Sequence, residues 1–98
     1  MITYQDRAER LYAYLDGLAD GSTLASMDAI GDQLHFPVAA RAWSVCCSFG
    51  VLQRQLRLTT AHGTRSHCRG QRIVRMPDGR TFKTAGCVLV LDLEEAGP

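Results

Sequence analysis

The chain has 98 residues, 46% of them hydrophobic and 21% charged, with a mean hydropathy of −0.09 and a formal net charge of +1. That length holds one domain with a modest core, so residues 1–98 are read as a single unit. No apolar run approaches the roughly 18 residues of a membrane span, and the polar opening MITYQDRAER lacks the apolar stretch of a signal peptide; a cytoplasmic protein with no membrane contact is the expectation.

Thr3 can cap a first helix, with Asp6 three residues on to complete a capping box. Ala8, Leu11, Leu15 and Leu18 then fall on one face at steps of three and four, which predicts a helix over about 4–19 with Gly21 as its stop. Tyr4, Tyr12 and Tyr14 lie at its edges or outside. Ser22 to Ser26 reads as a short polar connection. Ser26 or Thr23 can cap a second helix over about 26–34, whose inner face is Met27, Ile30 and Leu34. Gly31 costs that helix about 1 kcal/mol relative to Ala, so close packing is its best explanation.

Pro37 ends the second helix, because the residue before a proline is pushed away from helical geometry. Proline also suits the first position of a new helix, so a third is predicted over about 37–49. Ala39, Ala42, Trp43, Cys46 and Phe49 form its expected buried stripe, and Arg41, Ser44 and Ser48 its outer side. Cys46 and Cys47 point about 100° apart on such a helix and suit no shared disulfide; all four cysteines are expected as thiols. Gly50 is expected to turn the chain into a strand over about 51–60, on the alternation of Leu52, Arg54, Leu56 and Leu58.

Residues 61–70, AHGTRSHCRG, are loop by composition. Strands follow over about 71–76 and 80–84, joined by Met76-Pro77-Asp78-Gly79-Arg80. In that turn Pro presets φ, Asp bonds the local backbone and Gly supplies positive φ. A continuously apolar run predicts a last strand over about 86–92, followed by a frayed tail.

Charge is unevenly placed. Residues 1–53 hold three arginines (Arg7, Arg10, Arg41) against six acids, while residues 54–83 hold seven arginines and Lys83 against Asp78 alone. Such a block favours an anionic partner, although arginines along a sheet also serve solubility.

The order of short helix, turn, Ala-rich helix, Gly-Val-Leu and strand over 26–52 resembles winged helix-turn-helix DNA-binding domains of bacterial and phage regulators. The resemblance implies an α+β fold: a three-helix core followed by a three- to four-stranded antiparallel sheet. It also implies that the third helix enters the major groove of double-stranded DNA, with Arg41 on guanine and Ser44 and Ser48 on bases or phosphates. The basic segment places Arg54, Arg57, Arg65, Arg69, Arg72, Arg75, Arg80 and Lys83 on phosphates, mainly around the Met76–Arg80 hairpin. A homodimer on a palindromic site is expected, with the tyrosines of the first helix or the C-terminal strand as its surface. The alternative is a protein-interaction module, or a phage-encoded inhibitor of a host protein, whose basic strip meets an acidic surface.

Other chemistry fares less well. His62, His67 and Cys68 share one loop, yet no C-x-x-C or H-x3-H spacing supports zinc, so no metal is expected. A Cys–His nucleophile lacks an orienting carboxylate, since Asp78 is the one acid between 33 and 91. No enzyme activity and no cofactor are expected.

Overall fold

The computed structural model describes residues 3–62 and 71–85, the side chain of His62 excepted. Helix α1 (Tyr4–Asp16) opens as its sequence dictates: the Thr3 hydroxyl accepts the Asp6 N–H at 3.0 Å and the Asp6 carboxylate accepts the Thr3 N–H at 3.2 Å. It ends at Asp16 with Gly17 as its cap, one turn short of the expected boundary. A two-residue strand β1 (Thr23–Leu24) stands where a plain connection was expected. Helix α2 (Met27–Gln33) follows, the Ser26 hydroxyl accepting the Ala29 N–H.

Helix α2 leaves through a left-handed residue that is not glycine. His35 has φ 62°, the Phe36 N–H bonds the Gly31 carbonyl and the His35 N–H bonds the Asp32 carbonyl. Phe36 is thereby turned into the core. The third helix does not begin at Pro37. A 3₁₀ turn, Val38–Ala40, intervenes, and α3 runs Arg41–Arg54, five residues beyond the expected end at Phe49. Gly50 is buried inside it and does not break it, and Val51-Leu52 are helical. The chain leaves α3 by a second left-handed cap. Leu56 has φ 59°, with the Arg57 N–H on the Leu52 carbonyl and the Leu56 N–H on the Gln53 carbonyl. The alternation that predicted a strand over 51–60 was thus a coincidence of helix end and cap, and strand β2 (Thr59–His62) starts eight residues later than expected.

Strands β3 (Arg72–Arg75) and β4 (Thr81–Thr84) match the predicted hairpin. Its turn works as the sequence implies: Gly79 has φ 98°, the Asp78 carboxylate accepts the Arg80 N–H, and the Met76 N–H bonds the Arg80 carbonyl. The sheet order is β1-β4-β3-β2, with β2/β3 and β3/β4 antiparallel and β1 parallel to β4. Over the described residues the fold is therefore α+β, three α-helices with three antiparallel strands and a short parallel addition. The predicted strand over 86–92 lies outside the described residues.

One core joins the two layers. Ala8, Leu11 and Leu15 of α1, Ile30 of α2, Val45, Phe49 and Leu52 of α3, and Val74 and Phe82 of the sheet are all at most 1% exposed. On the sheet, Leu24, Val74, Phe82 and Thr84 face this core. Thr23, Thr59, Ala61, Arg75 and Lys83 alternate with inward residues and face away.

Candidate functional site

The phase of α3 decides which residues meet a partner, and it is rotated from the expected one. Val45, Phe49 and Leu52 recur at i, i+4 and i+7 and set the inner face, with Cys46 and Gln53 beside them. Ending the helix at Phe49 in the sequence reading removed Leu52 from that pattern and gave Trp43 its place. Trp43 is in fact 51% exposed, Val38 is 76% exposed, and Ala39, Ala40 and Ala42 are exposed too.

The three residues assigned to base reading do not form an outer face. Ser44 and Ser48 are 4% and 2% exposed. Ser48 Oγ donates to the Ser44 carbonyl at 2.8 Å, and Arg7 donates to Ser44 Oγ at 3.4 Å. Ser48 satisfies its hydroxyl within the helix and Ser44 meets Arg7 of α1, while their small volume lets α1 approach α3. Arg41 packs against α2: a Cβ added at Gly31 would meet its side chain and lie 3.0 Å from its carbonyl oxygen, and its guanidinium is 3.5 Å from the Asp32 carboxylate. The close packing expected of Gly31 is present, and Arg41 is its cause.

Much of the basic segment is committed inside the molecule. Arg57 is 2.6 Å from Glu9 and 3.9 Å from the centre of the Tyr12 ring. Arg80 donates to the Asp78 carboxylate at 2.8 Å, the Asp16 carboxylate at 2.7 Å, and the Asp16 and Leu18 carbonyls at 2.8 Å. Those carboxylates hold its guanidinium pKa above the ordinary value. A hairpin arginine expected to reach for phosphate therefore caps the carbonyl end of α1. Arg72 is 3% exposed. Arg54, Arg75 and Lys83 are exposed, and none of them forms an ion pair within the described residues. Arg65 and Arg69, with His67, Cys68 and Cys87, lie outside the described residues. Among the described residues no group of three or more His, Cys, Asp or Glu is arranged to hold a metal ion, and no helix is long and apolar enough to cross a membrane.

Two of the exposed surfaces bear on a partner. The first is the outward side of α3, apolar and centred on Trp43. The second is the outward face of the sheet, where Arg75 and Lys83 sit diagonally across β3 and β4, in the register Arg75↔Thr81 and Ile73↔Lys83. No family model matches the chain, and neither a curated protein nor a solved structure is significantly similar to it. The signal that sequence reasoning missed is the left-handed pair His35 and Leu56. Neither is glycine, and each marks a helix end that moves the phase of what lies beside it.

Proposed function

We propose that this domain is a protein-docking module, without catalytic chemistry, whose contact surface is the outward side of α3. The observation that carries the reading is Trp43, half exposed beside Val38, Ala39 and Ala42, on the helix whose polar residues Arg41, Ser44 and Ser48 are turned inward. Tryptophan buries a large area at low entropic cost and is among the residues that dominate binding energy in protein interfaces. Major-groove reading instead needs several polar side chains aimed outward. The element order of helix, strand, helix, helix and hairpin supports regarding the scaffold as winged-helix-like, used here for contact with protein.

The test is affinity capture with the whole chain, identification of the captured protein, and titration of that protein in purified form. Truncation of a central anchor costs about 2 kcal/mol, or roughly 30-fold in affinity. Trp43→Ala is expected to weaken binding by that much while circular dichroism and melting stay unchanged. A purified partner that binds the variant as tightly as the parent overturns the reading.

A second reading, duplex DNA, is favoured by Arg75 and Lys83, two cations without an ion pair among the described residues, on one sheet face with Thr23 and Thr59 as their cross-strand neighbours. Each phosphate neutralised contributes about −0.9 to the slope of log affinity against log salt. Two contacts give a slope of about −2, against about −7 if all eight cations of residues 54–83 took part. Such binding, abolished by Arg75→Glu with Lys83→Glu and indifferent to Trp43→Ala, would move the assignment to the sheet.

A further inference from the structure

The α3 surface has a second component, supplied by α1. Trp43, Cys47, Val51 and Arg54 follow one another at steps of four, four and three, so they form one stripe along α3. Trp43 and Arg54 are exposed and the two residues between them half-buried. Arg7 of α1 reaches this stripe through Ser44, and its guanidinium lies 5.7 Å from the centre of the Tyr4 ring, itself 68% exposed. Burial raises the pKa of the Cys47 thiol, with the Arg7 and Arg54 charges acting against that rise. Two cations thereby flank a surface built from Trp43, Cys47, Val51 and Tyr4.

Neither Arg7 nor Arg54 forms an ion pair among the described residues. The neighbouring carboxylates of α1 are occupied: Asp6 by the Thr3 N–H, and Glu9 by Gln5 and Arg57. We infer that this seam takes an acidic, amphipathic helical segment of a partner protein, an inference that rests on the docking reading above. Tryptophan, tyrosine and arginine are the types that anchor interfaces. The stripe spans 12 residues of α3, about 16 Å from first to last, which matches three turns of a docked helix with apolar anchors and acidic flanks. A second copy of the same chain fits poorly, because pairing the seam with itself brings Arg7 and Arg54 against one another with, among the described residues, no carboxylate along the seam to receive them. The same absence of acids makes charge complementarity the discriminating property of the true occupant.

Trp43 is the single tryptophan of the chain, so its emission reports on the seam directly. The probe is a synthetic amphipathic peptide with leucines at i, i+3, i+4 and i+7 and glutamates on the flanks, beside a twin with every Glu replaced by Lys. The Glu peptide is expected to blue-shift Trp43 and saturate, with the Lys twin at least about tenfold weaker. Arg54→Glu, an exposed position that leaves the packing intact, is expected to narrow or invert that ratio. Arg7→Glu, checked for folding by circular dichroism, is expected to do the same. Equal binding of the two peptides overturns the acidic chemistry and leaves the docking reading standing. A Trp43 shift with duplex DNA and neither peptide overturns both.

Discussion

Leu56 and His35 concentrate the residue-scale lesson. Both sit at φ near +60°, where a side chain other than glycine is strained. Each is held there because the residue after it, or one step further, must reach the core: Phe36 is 2% exposed and Leu58 is 2% exposed. Leu56 is itself 83% exposed and buries little that could offset the strain. Leu56→Gly is therefore expected to raise stability by about 0.5–1 kcal/mol, the left-handed penalty less the entropy that glycine adds to the unfolded chain. A urea titration showing a lower midpoint for the variant would contradict that account. A sequence reading that looks for glycine at helix ends passes over both sites, and here that error displaced the end of α3 by five residues and rotated its inferred face.

Between elements, the Arg80 guanidinium does what α1 cannot do for itself. The last turn of α1 carries no basic residue; the Gly17 and Leu18 N–H groups cover the Ala13, Tyr14 and Leu15 carbonyls, and the Asp16 carbonyl is left to Arg80. Arg80 supplies the cation from the hairpin, 64 residues away in the chain, while the Thr81 N–H is received by Asp20. The loss of this clamp should be visible against its neighbour on the same hairpin. Arg80→Ala is expected to lower the melting temperature, whereas Arg75→Ala, at an exposed position with no ion pair among the described residues, is expected to change stability by no more than about 0.5 kcal/mol. Equal melting of the two variants would mean that the clamp contributes nothing. The hairpin itself was legible, since Pro77, Asp78 and Gly79 each impose a local geometry. That Arg80 folds back onto α1 was not, because its acceptors are carbonyls and a carboxylate brought near only by packing.

For the whole molecule, acid sensitivity follows from two capping carboxylates. Asp6 is held below its ordinary pKa of 3.8 first by the Thr3 backbone N–H, and Asp78 first by the Arg80 backbone N–H. A carboxylate depressed on folding stabilises the native state above its unfolded pKa, and that contribution is lost as pH falls through the lower folded value. The urea midpoint is thus expected to hold through neutral pH and to decline below about pH 4. Asp78→Asn should show less of that decline than the parent. An identical pH profile for the variant would remove Asp78 from the explanation. Burial acts in the opposite range on Cys46, whose thiol is pushed up to about 11 and so stays protonated while the unfolded chain ionises.

The sequence by itself determined the first two helices with their Thr3 and Ser26 caps, the β3–β4 hairpin and the tight approach at Gly31. In each case a few neighbouring residues carry the whole geometric requirement. Tertiary structure alone decided the length and rotation of α3, because Leu52 and Gln53 are claimed by the core and Gly50 is carried inside the helix despite its propensity. It also decided which arginines face solvent. A charge count sees eight cations in residues 54–83. Packing ties Arg57 and Arg80 to acids of α1 and buries Arg72. It leaves Trp43 where Arg41, Ser44 and Ser48 were expected. A side chain's partner depends on what the fold brings beside it, and no local pattern in the chain encodes that.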